Sequence, residues 1–298
     1  MGNHGANMKS VIVVIIVAAI AFAFGWFAGS PGISVAGYPA YFVCVALAMA
    51  INWLVFVPSA IAKSDTFYDT TGAITYATVT LAASYLSYLH HGSLDLRSLV
   101  IAGLVIAWCL RLGTFLFIRI HAMGGTDSRF EKIKVNPARF LVAWTLQGLW
   151  VVLTASAAHV AILAEERAPI GVYFFAGLAV WLLGFVWETV ADAQKSAFKK
   201  DEANKGKFIN VGLWKWSRHP NYFGEITLWA GVLIMAIPVL SGLSWLVVVS
   251  PIFVFILLTK ISGVNLQMKQ GLERWGDDPD YRDYLANTPM LIPSPPKG

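Results

Sequence analysis

Residues 212–225 read "GLWKWSRHPNYFGE" and lead straight into an apolar run of membrane length. Pro220 suits the first turn of a helix, where a missing N–H costs nothing. A helix is therefore expected to start at about Pro220 and to enter the bilayer. Arg218, Asn221 and Glu225 fall at i, i+3 and i+7, one stripe along that helix. A helix N-terminus beside Arg218 and Lys207 attracts anions, phosphates above all. A single Lys or Arg here reads as an ordinary flank of a membrane helix. Arg, His and Pro joined to a polar stripe that continues into the membrane point instead to a polar ligand.

The rest of the chain supports the membrane reading. Of 298 residues, 57% are hydrophobic and 13% charged, with a mean hydropathy of +0.63. Soluble domains carry roughly 25% charged residues. A spanning helix takes about 20 mostly apolar residues, and eight stretches qualify, near 10–28, 38–62, 71–89, 98–118, 139–163, 169–190, 221–239 and 242–262. The expected fold class is all-α, a polytopic membrane bundle. Lys and Arg concentrate in 119–139, in 192–218 and in the C-terminal tail, whereas the opposing loops carry only Arg97 and Arg167. The positive-inside rule then places both termini and the basic loops in the cytoplasm. The pI near 9.1 reflects this topology, so a nucleic-acid partner drops out. Residues 1–35 read as a retained membrane anchor rather than a cleaved signal, and 36–298 as the remaining domain.

Cys44 and Cys109 lie within apolar runs and offer neither a disulfide framework nor metal spacing. His90 and His91 occupy an outer loop without ligand spacing, so no metal is expected. Asn52 and Gln147 are expected to join helices by hydrogen bonds, and Arg111 to pair internally or snorkel. Upstream of the opening stretch, "WETVADAQKSAFKK" places Glu188, Asp192, Lys195 and Lys199 on one helix face. Snorkelling explains the lysines but not Glu188, which lies behind Trp187 near the apolar edge.

Taken together, "GLWKWSRHPNYFGE", the upstream "WETVADAQKSAFKKDEANKGKFINVGLW" and the downstream "SGVNLQMKQGLERWGDDPDYRDYLANTPMLIP" resemble the membrane-embedded steroid 5-alpha-reductase and sterol-reductase superfamily. The likeness is greatest to its bacterial branch of unknown substrate. It is strongest over 180–298, with a weaker echo in "GGTDSRFEKIKVNPARF". The resemblance implies a seven-helix core, here with one extra N-terminal helix, around a cavity that opens to the cytoplasm and encloses NADPH. It puts Asn221 and Glu225 at the nicotinamide end and Asp192 on the preceding helix. Lys199 and Lys207 fall at positions contacting cofactor phosphates, and Arg218, His219, Tyr222 and Tyr284 belong to the same site. The sequence departs from the family pattern at 199 and 207, where Lys replaces Arg and loses the bidentate fork. It also departs at "SGVNLQM", where Gln267 and Met268 stand where an acid is usual.

Such an enzyme reduces a C=C bond conjugated to a carbonyl, which takes a hydride donor, a group polarising the oxygen and a proton source. Tyr222 and Glu225 are the catalytic candidates, and Tyr68 and Tyr76 complete the shortlist for the polarising acid. Glu225 is read first as an anchor for a carboxamide. The implied protein is a monomer of the bacterial inner membrane, acting on a lipophilic steroid- or isoprenoid-like molecule among membrane lipids. A second reading is an S-adenosylmethionine-dependent methyltransferase resembling isoprenylcysteine carboxyl methyltransferase, which shares the "RHPxY" run before a membrane helix. A transporter would show broken helices in two related halves, and no such repeat is present.

Overall fold

Helices form at all eight apolar stretches, and the local chemistry explains where each begins and bends. The computed structural model describes residues 2–122, 130–261 and 263–296. Residues 123–129, and with them the first part of the "GGTDSRFEKIKVNPARF" segment and Arg129, lie outside the described residues. The helices are α1 (Gly2–Gly29), α2 (Ala40–Ala62), α3 (Tyr68–His91), α4 (Leu96–Ala122), α5 (Pro137–Thr154), α6 (Ser156–Ile162), α7 (Val172–Lys200), α8 (Pro220–Ala236), α9 (Val249–Ile256), α10 (Val264–Trp275) and α11 (Pro279–Asn287). The sheet content described is one antiparallel pair, β1 (Ser34–Val35) with β2 (Tyr38–Pro39). The protein is all-α.

Among the described residues six segments are long and apolar enough to cross a membrane, and the bent pair α5–α6, which turns by 56°, makes a seventh if it is taken as one span. The bend has a local cause. Tyr41 Oη donates to Val152 O at 2.7 Å and Ser156 Oγ to Leu153 O at 2.8 Å. Both carbonyls would otherwise serve the next helical turn, so side chains satisfy the break between α5 and α6. The last apolar stretch is likewise not one α-helix. It runs as a 3-10 segment (Gly242–Val248), then α9, then a π-turn (Leu257–Ile261).

The chain divides into two units, Met1–Phe174 with Met235–Val249 and Phe175–Ile234 with Ser250–Gly298. In the first, α1 packs on α2 and α5, α2 on α3 and α5, and α3 on α4. Here α3 is inverted relative to a water-soluble helix. Thr71, Thr75, Thr80, Ser84 and Ser87 are buried, whereas Ile74, Leu81, Tyr85 and Leu89 are more than half exposed. That polarity suits lipid outside and hydroxyl contacts between helices inside. Asn52 donates to Ala48 O and Thr75 Oγ1, and Gln147 Nε2 to Tyr68 O, as expected of interhelical amides.

In the second unit, glycines set the distance between α7 and α8. A Cβ on Gly184 would lie 2.5 Å from Leu228 N and 2.6 Å from Gly224 O. One on Gly231 would lie 2.5 Å from Trp181 N, and one on Gly224 2.6 Å from Glu188 N. The helices therefore touch backbone to backbone, which only glycine permits. This contact fixes Glu188 of α7 beside the first turns of α8.

Candidate functional site

The second unit gathers its polar residues where α7 ends and α8 begins. Glu188, Asp192 and Glu225 are all buried, at 2%, 8% and 8% exposure. Asn221 Nδ2 donates to Asp192 Oδ1 at 3.2 Å, joining the two helices one turn outside the Glu188 level. Lys195, a further turn along α7, is half-buried with Nζ 4.5 Å from the centre of the Trp214 ring.

The opening stretch is fastened to α7 before it becomes α8. Gly212 takes φ +58° with its Cα against the Gln194 side chain, a place closed to other residues. Gln194 Oε1 accepts the Leu213 N–H at 2.8 Å, and Trp214 Nε1 donates to Ala191 O at 3.0 Å. Ser217 Oγ accepts the His219 N–H at 3.1 Å and donates to Leu291 O at 2.9 Å. The Arg218 N–H donates to Pro289 O at 2.9 Å, and the Ser294 N–H to Trp216 O at 3.0 Å. Two N–H groups just before α8 are thus spent inside the protein. Pro289 of the C-terminal segment takes the Arg218 N–H and Ser217 Oγ takes the His219 N–H, so neither amide is left to meet an anion.

His219 is 8% exposed and stacks on Tyr222 at 5.3 Å with only 6° between planes. Burial, then the nearby charges of Lys195 and Arg218, push its pKa down to about 3, so the imidazole is neutral near pH 7. Among the described residues, His219 Nδ1 and Arg218 Nε are buried without a hydrogen-bond partner. The Tyr222 hydroxyl accepts from Gln267 Nε2 at 2.5 Å. Tyr284 donates its hydroxyl to Trp214 O at 2.7 Å and lies by Phe208. Burial raises the Tyr284 phenol pKa, and Arg218 partly counters that effect, which places the guanidinium near this tyrosine.

Asp192, Arg218, His219, Asn221, Tyr222 and Glu225 are thus brought together. Tyr284 joins them through Trp214. Lys199 is exposed one turn beyond Lys195, and Lys207 is exposed on the following loop, its N–H bonded to Asn204 O. The residues that sequence reasoning left out of the site are Lys195, Trp214, Gln194, Ser217 and Gln267. Lys195 carried a signal, since it shares the face of Asp192. The others are visible only once the loop is folded. Tyr68 and Tyr76 belong to the first unit, where Tyr68 Oη donates to Ala143 O and Tyr76 meets Trp108 edge to face.

Six apolar helices among the described residues, with buried polar residues where α7 meets α8, fit a multi-pass membrane protein. The chain belongs to the DUF1295 family of proteins of unknown function, whose pattern matches residues 55–288. That family is related to the steroid 5-alpha-reductase-like membrane proteins. An uncharacterized protein of Schizosaccharomyces pombe is 27% identical over 227 residues, 66% of this chain and 63% of that protein. A probable O-methyltransferase of Ustilaginoidea virens is 31% identical over 109 residues, 32% of this chain and 38% of its own length. The chain thus covers less than two thirds of either relative. No solved structure matches it.

Proposed function

We propose that this protein is an NADPH-dependent oxidoreductase of the membrane, reducing a C=C bond conjugated to a carbonyl in a lipophilic substrate. The observation that carries the reading is the graded polarity of the residue cluster where α7 meets α8. Cations Arg218 and Lys195 stand at its outer end, a neutral imidazole and the Asn221–Asp192 pair in the middle, and Glu225 within the apolar helix. A dinucleotide has the same grading, phosphates at one end and an uncharged carboxamide ring at the other. The buried Nδ1 of His219 and Nε of Arg218 fit such a ligand, because each is a polar atom that no described residue satisfies.

When bound, NADPH supplies a hydride to the β-carbon of the substrate. The chain's own residues hold and orient. Arg218 and Lys195 would face phosphate, while Asn221 and Glu225 would face the carboxamide. Stacked on His219 and held by Gln267, Tyr222 is positioned to donate a proton toward a carbonyl oxygen. Glycine contact holds α7 and α8 backbone to backbone beside Glu188.

A methyl-transfer reading is favoured by one observation, the name carried by the Ustilaginoidea virens relative. S-adenosylmethionine offers one carboxylate and no phosphate, so that reading makes less use of the cation at Arg218 than a dinucleotide does. Thermal unfolding of the purified protein with NADPH, NADP+ or S-adenosylmethionine separates the two. Stabilisation by the nicotinamide nucleotides is expected, weakened in Arg218→Ala. Stabilisation by S-adenosylmethionine alone would replace the reductase reading.

A further inference from the structure

Helix α10 divides its surface into three sectors, and one of them has no counterpart in the site. Advancing about 100° per residue, Val264, Gln267, Gly271 and Trp275 form the inner seam. Val264 and Gly271 are buried, Gln267 bonds Tyr222, and Trp275 Nε1 donates to Gly206 O at 2.5 Å. Gly271 meets the Tyr281 hydroxyl so closely that no side chain fits there. On one side of this seam stand Met268 and Leu272, one turn apart and 40% and 49% exposed. The remaining arc holds Asn265, Lys269, Gln270, Glu273 and Arg274, all exposed, with Leu266 alone among them.

An apolar strip between a protein seam and a polar arc is the layout of a helix lying in a membrane surface. Continuity with the span before it says which surface. The helical stretch Gly242–Trp275 has 34 residues, well beyond the roughly 20 that cross a bilayer, and its last part, α10, is largely polar. Its spanning part closes with a π-turn at Ile261, which is 66% exposed, and Gly263 then turns the chain against the Tyr222 ring. Lys260 and Lys269 are both exposed, and lysines at such a boundary commonly reach for lipid phosphates.

We infer that α10 is an interfacial helix, with Met268 and Leu272 seated among lipid chains at headgroup depth and Gln270 in water. The membrane contact and the Gln267–Tyr222 bond are then neighbours on one helix. This assignment stands whether or not the pocket binds NADPH. Its test is spin labelling of single cysteines, Met268→Cys, Leu272→Cys and Gln270→Cys, in a Cys44→Ala/Cys109→Ala background reconstituted in phosphatidylcholine–phosphatidylglycerol nanodiscs. Should that background fold poorly, the wild-type one serves, since both native cysteines are buried. The ratio of collision with oxygen to collision with a water-soluble nickel chelate is expected to be several-fold higher at 268 and 272 than at 270. Equal ratios at the three sites would place α10 in water and overturn the assignment. Shielding of 268 and 272 from both reagents would mean that protein covers the strip, and would overturn it equally.

Discussion

Among the described residues two histidines are buried, one in each unit, and their surroundings differ in kind. His159 of α6 is fully buried, with Nε2 3.1 Å from the Thr80 hydroxyl and its ring 6.1 Å from that of Tyr41. His219 is nearly as buried but lies between the charges of Lys195 and Arg218, stacked on Tyr222 and beside the Asn221–Asp192 pair. Burial is common to both, so burial does not mark a site. Charge brought to the same place, at a cost that packing alone would not incur, does. His159 joins helices. His219, on the proposed function, faces the ligand.

The largest expected effect separates the two units by packing. Gly224→Val places side-chain carbons against the Glu188 backbone, where even a Cβ lies at 2.6 Å. Backbone cannot rotate away, so the cost should exceed the about 1–3 kcal/mol of ordinary overpacking. Detergent-extracted variant is expected to lose most of its monodisperse fraction. Gly103→Ala in α4, where a Cβ meets nothing within 4 Å, should extract like the parent. Equal behaviour of both variants would break the claim that glycine contact organises the second unit.

A smaller effect follows from the burial of His219, to which the charges of Lys195 and Arg218 add. Its pKa in the folded protein, about 3, is below the ordinary value of 6.5. A depressed value means that the unfolded chain binds the proton more readily, so the contribution is complete above pH 6.5 and is lost as pH falls toward 3. Between pH 7.5 and 5.0 the loss is about 2 kcal/mol. Thermal unfolding at the two pH values should show His219→Gln losing visibly less than the parent. Parallel losses would mean that the imidazole is not held neutral by its neighbours.

His159→Leu tests the other half of the comparison. Removing the bond to Thr80 leaves a buried hydroxyl, and stability should fall by about 1–3 kcal/mol. The upward shift in melting temperature that nucleotide produces should be unchanged. A lost shift would give His159 a share in the ligand site and undo the contrast drawn above.

How far these features were legible in the sequence depends on the distance between the residues involved. Helix positions follow from apolar length and from Pro220, and both are local. The α5–α6 bend was not legible, because the hydroxyl that takes the Val152 carbonyl comes from Tyr41, 111 residues away. The Asp192–Asn221 pairing was half legible, since each residue stood on a polar stripe but nothing local joined the stripes. Gly184, Gly224 and Gly231 join them, and as single glycines in apolar runs they carry no signal of close approach. The role of the C-terminal stretch was not legible either: Pro289 and Leu291 accept hydrogen bonds from Arg218 and Ser217, so this stretch helps to hold the residues just before α8.

The smallest expected effect distinguishes two cations that the sequence placed together. Arg218 is half-buried, close enough to influence His219 and Tyr284, whereas Lys207 is exposed on a loop. A surface charge contributes little to binding through water and salt. A charge-assisted hydrogen bond in a partly buried pocket contributes about 1.5–3 kcal/mol. On the proposed function, Arg218→Ala should therefore weaken NADPH binding by about tenfold or more, and Lys207→Ala by less than about threefold. Isothermal titration at two salt concentrations reads both, and the Arg218 effect should persist at the higher one. If Lys207→Ala matched Arg218→Ala, the loop would have to close over the ligand, and the phosphate end of the pocket would extend to residues that now stand in solvent.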